Sequence, residues 1–280
     1  MEVFEKLIYY LQYPFVQYAL ITGVFISLST ALLGVPLVLK RMSFLSTGLS
    51  NFAFAMTTVV SVSSLSKNLF IVLGSTILCA VYLLCFSKND SVQGGDARLA
   101  VLSVGALSVG YIVLSMFSSS GNVSTDVCTI LFGATTILTL SSTDVMLCIG
   151  LSVLVVLVFI IFYKQIFTTT FDADFGKASG VGSGKIDILI AVITAVVIVL
   201  ALNLVGSLLI SALIVLPVLS AMTVVKTYRN VVIFSAVYSI ICSVIGLCLA
   251  ILLGSPVGAT IVVFDLSVYS VLFVISKIRK

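Results

Sequence analysis

The sequence predicts an all-α fold, a polytopic transmembrane helical bundle of about eight or nine spanning helices, and three observations predict it. Of the 280 residues, 61% are hydrophobic and only 9% charged, with a mean hydropathy of +1.34; a water-exposed surface cannot be built from such a composition. Apolar runs of about twenty residues recur along the whole chain, each long enough as a helix to cross a hydrocarbon layer of roughly 30 Å. The runs are continuous rather than alternating, which excludes the strands of a membrane barrel.

Residues 1–15, MEVFEKLIYYLQYPF, lack the basic start, short apolar core and small-residue cleavage site of a signal peptide. They are expected to form an interfacial lead-in held by Tyr9, Tyr10 and Tyr13. Nine candidate spans follow: Val16 to Leu39, Gly48 to Ser66, Leu69 to Ser87, Leu99 to Phe117, Val145 to Tyr163, Ile186 to Val205, Leu208 to Val225, Val231 to Leu253 and Val257 to Ser276. Thr129 to Leu140 is a further short apolar piece, re-entrant or interfacial. The chain is expected to be a single domain over residues 1–280.

Cations set the orientation, because Lys and Arg collect on the cytoplasmic side of a membrane. Alternate connections hold Lys40 and Arg41; Lys88 and Arg98; Lys164, Lys177 and Lys185; Lys226 and Arg229; and Lys277, Arg279 and Lys280, which are twelve of the fourteen cations. The C-terminus is therefore expected inside. The net charge of +4 is then a topology signal, and nucleic acid is not an expected partner.

One cytoplasmic connection stands apart. Residues 168–185 read TTTFDADFGKASGVGSGK, long enough for a short helix bounded by Thr and Gly residues that cap and end it. Asp172 and Asp174 near its start suit the helix dipole. Such a segment is either a solvated loop or a docking element for a cytoplasmic partner.

Several chemistries are excluded. The tail SGVGSGKI approaches the phosphate-binding pattern G-x-x-x-x-G-K-[ST], but Ser179 stands at the first glycine and Ile186 at the magnesium-binding hydroxyl. Nucleotide binding by this chain is not expected, so active transport would draw its energy from another subunit. The chain has no histidine, its only glutamates are Glu2 and Glu5, and most of its aspartates lie in connections, so neither a Ser-His-Asp relay nor a paired-carboxylate site is expected, and no catalytic residue. Cys79, Cys85, Cys128, Cys148, Cys242 and Cys248 show no C-x-x-C pair and are expected to be buried small hydrophobes rather than disulfides or a metal cluster. Asp265 should face a helix interface or water, since a carboxylate in mid-bilayer costs roughly 3 kcal/mol; it is structural or part of an ion path. Asn203 with Gly206 marks a turn, and Pro217 a bend.

Three segments resemble one family. RMSFLSTGLSNFAFA, from Arg41, is similar to the pattern R-M-S-x-x-G-D-A-L-S-H-A of permeases in zinc, manganese and iron ABC importers. FDADFGKASGV, from Phe171, resembles that family's cytoplasmic F-D-x-x-x-A-x-x-x-G, with Gly176 at its alanine. VGSLLISALIVLPVLSA, from Val205, resembles V-G-x-L-L-V-S-A-L-L-I-x-P-A-x-x-A, and Gly254 to Val262 carries a family-like G-x-x-x-G-x-T-I-V.

The resemblance implies a permease in a bacterial cytoplasmic membrane that dimerises around a central pathway, as a homodimer or with a second permease. Two ATPase subunits carrying ATP and magnesium would stand below it and an extracytoplasmic metal-binding lipoprotein above. Phe171, Asp172, Asp174, Phe175 and Gly180 would then contact the ATPase. The chain itself would hold no cofactor.

The resemblance also carries a departure. Thr47 falls at the family's aspartate and Asn51 at its histidine, the residues held to meet the metal; with Ser50 they are the pathway candidates. Their i, i+4 spacing puts Thr47 and Asn51 on one helix face, yet both are neutral oxygen donors and poor ligands for zinc. Four accounts follow: a scaffold protomer beside a second permease that keeps the ligands; a weak hydrated or chelated-metal site; a substrate that is not a metal; or side chains that only cap and pack. The expected function is ATP-driven import, of a divalent transition metal or its chelate, with a secondary transporter or channel lacking an ATPase as the alternative.

Overall fold

The computed structural model describes residues 9, 12–62, 69–87, 92–117, 131, 142–172, 176 and 182–278. Among them the chain forms ten helices and no strand: α1 (Pro14–Leu39), α2 (Ser43–Val62), α3 (Leu69–Ser87), α4 (Val92–Phe117), α5 (Ser142–Ile161), α6 (Tyr163–Phe171), α7 (Ser183–Val205), α8 (Ser207–Val224), α9 (Tyr228–Leu253) and α10 (Val257–Ile278). Eight of these are long and apolar enough to cross a membrane, and α3 carries a shorter apolar core, Phe70–Leu83. The nine expected spans thus fall on nine of the helices. Thr129 to Leu140, apart from Leu131, and Tyr10 lie outside the described residues.

Helix ends follow local chemistry. Pro14 opens α1, where its missing N–H removes no hydrogen bond. The same helix closes in a Schellman pattern: Arg41 N–H donates to the Val38 carbonyl and Met42 N–H to that of Leu37. Arg41 holds the left-handed conformation, φ 58°, that this cap requires and that glycine usually supplies. Gly206, at φ 92°, is the whole connection between α7 and α8, which is the turn expected there. Gly254, in the left-handed region, ends α9.

Lipid tails give helices no hydrophobic reason to associate, so packing rests on close van der Waals approach at small residues. Helices α1, α7 and α8 form the centre, with α9 and α5 against α1, α10 against α8 and α9, and α2 joining α3 and α4 to α7 and α8. A Cβ added to Gly34 of α1 would stand 2.0 Å from the Ile214 carbonyl oxygen of α8. One added to Gly246 of α9 would stand 2.8 Å from Ile261 Cα of α10, and one on Gly110 of α4 would meet Phe54 of α2 at 2.7 Å. Hydroxyl bonds reinforce these crossings: Ser29 donates to Ser152 at 2.7 Å, tying α1 to α5, and Ser239 of α9 donates to the Ser27 carbonyl of α1 at 3.0 Å.

Cys79, Cys148 and Cys242 are buried free thiols and Cys248 is half-buried and free, in keeping with their reading as small hydrophobes. The side chains of Cys85 and Cys128 lie outside the described residues.

Replacing Gly34 by alanine forces backbone against backbone, so Gly34→Ala is expected to destabilise the chain by about 1–3 kcal/mol. Gly105→Ala, with no atom within 4 Å of the new carbon, serves as the control. Thermal midpoints of the purified chain in detergent check this: a fall for the first and none for the second.

Candidate functional site

The pathway candidates sit at the head of α2. Ser46 and Ser50 are fully buried, and both turn their hydroxyls back onto their own helix: Ser46 donates to the Ser43 carbonyl at 2.8 Å and Ser50 to that of Thr47 at 3.1 Å. Such back-bonding satisfies a small hydroxyl where no water is present. Asn51 donates from Nδ2 to Ser103 Oγ at 2.8 Å, which fastens α2 to α4.

Thr47 opens onto free space. It lines a groove of about 490 Å³ together with Leu208, Ser211 and Val215 of α8 and Gly258 and Val262 of α10. Small residues make the space: Gly258, Ala259 and Ala212 stand where larger side chains would fill it. Among the described residues, Thr47 and Ser211 supply the side-chain oxygens of the lining, and the Ser211 hydroxyl already donates to the Leu208 carbonyl at 3.0 Å. The described lining therefore offers neutral oxygens and no fixed charge. The i, i+4 pair is divided in its work, Thr47 facing the groove and Asn51 bonded to Ser103.

A second candidate surface gathers at one end of the bundle. Helix α6 begins there at Tyr163, with only Phe162 between it and α5; most of the helix expected within residues 168–185 lies outside the described residues. Thr168 lies inside α6 and donates back to the Lys164 carbonyl at 2.9 Å, so it caps nothing. Asp172 follows the last residue of α6 with an extended backbone, and its carbonyl accepts the Gly176 N–H at 3.1 Å, the bond an N-cap residue makes, which agrees with the expected place of Asp172 near a helix start. Asp174, Phe175 and Gly180 lie outside the described residues.

Phe171 is 60% exposed and Phe167 43%, yet both rings touch Tyr228 at the start of α9, with centroids 5.8 Å and 5.1 Å away. Tyr163 joins them at 5.6 Å from Tyr228. Residues 163, 167 and 171 recur every four positions along α6, so one face of the helix meets the Tyr228 ring. A Cβ at Gly176 would meet the Thr168 and Thr169 methyls at 3.7 and 3.9 Å, ordinary contact, so the space admits the alanine of the family pattern.

Sequence reasoning missed Asp187. It forms an ion pair with Lys40, both side chains 17% exposed, joining the end of α1 to the start of α7. The signal was available: a lone Asp one residue inside an apolar run, at the same expected face of the membrane as Lys40. The pair also puts the Lys40 connection and the α6–α7 connection at one end of the bundle. The C-terminal turn of α10 shares that end with α8, since Ser276 donates to the Thr223 carbonyl at 3.1 Å.

A bundle of membrane-length helices, crossing at small residues and leaving a long groove along α8 and α10, is the architecture of a multi-pass membrane transport protein. Residues 12–279 match the ABC 3 transport family, and the chain belongs to that family. It is 29% identical to the manganese import system permease protein ScaB of Streptococcus gordonii, over 94% of this chain and 92% of that one. It is 26% identical to the high-affinity zinc uptake system membrane protein ZnuB of Haemophilus influenzae, over 94% and 96%. Among solved structures, PsaBC from Streptococcus pneumoniae in complex with Fab is similar at a TM-score of 0.81 and 26% identity, covering 97% of this chain and 94% of that one. An inward-facing metal-chelate-type ABC transporter matches at a TM-score of 0.68 and 15% identity, over 97% and 90%, and shares the fold.

Water-soluble thiol reagents can test the geometry of α2. In a background lacking the six native cysteines, Thr47→Cys is expected to react with a hydrophilic maleimide, whereas Ser50→Cys stays unlabelled. Equal labelling at both positions would contradict the placement of Ser50 behind the groove.

Proposed function

We propose that this chain is the membrane-spanning permease subunit of an ATP-driven importer for a divalent transition metal or its chelate, with no ATPase site of its own. The observation that carries the reading is the match to the ABC 3 transport family over residues 12–279, in company with relatives named for manganese and zinc import. ATP and magnesium belong to partner ATPase subunits, an extracytoplasmic binding protein delivers the substrate, and a second permease, identical or not, completes the pathway. The location is a bacterial cytoplasmic membrane with the C-terminus in the cytoplasm. The cation distribution supports that orientation, because the end that holds Lys40, α6 and the last turn of α10 is the cation-rich one.

Within this reading the Thr47 groove is one wall of the pathway. Two copies, or this chain with a second permease, would close the groove of each around a common path. A dehydrated divalent ion needs anionic or imidazole ligands, which Thr47 and Ser211 do not provide. Selection therefore falls on the binding protein or on the second permease, and the ion passes this wall hydrated or chelated.

Loss of the chain is expected to abolish growth and radiotracer uptake at limiting manganese or zinc, and iron is the third arm of the same assay. Uptake of none of the three would overturn the metal assignment. In the same strain, the double change Thr47→Asp with Asn51→His should raise retention of the ion and alter its uptake rate; an unaltered rate argues that the groove is not on the path.

Phe171 and the α6 face on Tyr228 are the proposed contact with the ATPase, and the exposed ring is what a partner cleft would cover. Phe171→Ala is expected to lower uptake by about tenfold or more, the order of losing 1.4 kcal/mol or more at an interface anchor, while chain abundance in the membrane stays unchanged. Co-purification of the ATPase with wild type and variant separates lost docking from lost abundance.

A further inference from the structure

Asp265 is the ninth residue of α10, about 12 Å along the helix from its start. It is wholly buried, at a helix interface as expected, and both carboxyl oxygens lack a hydrogen-bond partner. Tyr238 of α9 donates its hydroxyl to the Asp265 main-chain carbonyl at 3.1 Å and stands beside the carboxyl. Cys242, one turn further along α9, faces the same carboxyl. Ser220 of α8 neighbours the Tyr238 hydroxyl, and its own oxygen is buried and without a partner. Three unsatisfied oxygens thus meet where α8, α9 and α10 come together.

Among the described residues of the helices packed around it, no cation stands within reach. Helix α10 packs on α8 and α9, and α8 has no Lys, Arg, Asp or Glu. The only charged residue of α9 is Arg229, nine positions before Tyr238 and so about 14 Å away along the axis. On α10 itself Lys277 is about 18 Å further on, and Tyr269 is the nearest titratable neighbour in sequence. An ionised carboxylate left alone in such surroundings neutralises by taking up a counter-ion or a proton. Neither oxygen has surface open to a sphere the size of water, so no water solvates the carboxyl where the helices are packed. A proton fits.

We propose that Asp265, with Tyr238 and Ser220, is an intramembrane proton site: a neutral carboxylic acid that seats α10 against α8 and α9. The carboxylate takes one proton from water when the helices are apart and keeps it when they close, and reopening to water releases it. The placement gives the proton a task. Gly258, Ala259, Val262 and Val263 of α10 line the groove, and Asp265 lies on the next turn, turned to the helix interior. A charged Asp265 would drive α10 outward, and a neutral one holds that wall of the groove in place. The inference stands on the packing of this chain and not on the substrate proposed above.

The test uses the full-length chain in lipid nanodiscs, labelled with [4-¹³C]aspartate. Infrared spectra at neutral pH are expected to show the carbonyl band of a protonated carboxylic acid, shifted by the label and missing in Asp265→Asn. Absence of that band in the wild type, or its persistence in the variant, overturns the proposal. Thermal midpoints give a second reading: a neutral folded-state carboxyl set against an ionised unfolded one makes the wild-type midpoint fall as pH rises above the usual carboxylate range, and Asp265→Asn should lack that fall. Asn copies the neutral acid in shape, so failure of Asp265→Asn to accumulate counts against the site. A wild-type midpoint raised by sodium, potassium or manganese, and not so raised in Asp265→Asn, overturns the proton in favour of a metal ion.

Discussion

The fold depends on one close approach, that of Gly34 on α1 to the Ile214 carbonyl on α8. Lipid supplies no hydrogen bonds to a chain, so each spanning segment must satisfy its own backbone as a helix, and helices so formed have only contact and a few polar bonds to hold them together. Where a Cβ would stand 2.0 Å from a carbonyl oxygen, the two backbones are as near as helices come. Around that crossing α9 fastens through Ser239 and α5 through Ser152, each hydroxyl spending its one proton on α1. The glycine crossing of α9 with α10 then places α10 beside α8, and the space left over between those two helices is the groove.

The same rule explains the quiet chemistry of the polar residues. Most of the buried hydroxyls donate back to a carbonyl three or four residues earlier, as Thr22, Thr30, Ser46, Ser50, Thr58 and Thr194 do. They satisfy themselves within one helix and need no partner, so a knot of small polar side chains at the start of α2 is compatible with dense packing. Asn51 cannot do this, because an amide carries two donors and an acceptor. It reaches across to Ser103 and becomes a fixed joint between α2 and α4.

Spans, their order and the family pattern were legible in the sequence, because hydropathy over about twenty residues and spaced Gly, Pro and Ser positions are local signals. The direction in which a side chain points was not. Thr47, Ser50 and Asn51 look alike as small polar residues in one line, yet Thr47 faces the groove, Ser50 bonds its own helix and Asn51 reaches α4. Pairing between distant residues was equally hidden: Lys40 and Asp187 are 147 positions apart, and the contact follows from how α1 and α7 pack. Helix α6 was not legible as a separate element because only Phe162 stands between it and α5, and a one-residue break leaves no hydropathy signal of its own.

Charge distribution through the bundle divides labour between its two faces. The cations and the Lys40–Asp187 pair stand at one end, where water and lipid headgroups solvate them, and the apolar interior admits a single described carboxyl, Asp265. A groove wall of Gly, Ala, Val, Leu and two hydroxyls cannot trap a cation strongly, since nothing there offsets the loss of the ion's hydration. Weak holding and fast passage have the same origin in such a wall. In the proposed importer, then, discrimination among ions is made before the ion reaches this chain or by the chain that faces it, and this subunit contributes the moving wall, its helix α10 seated from behind by the carboxyl of Asp265.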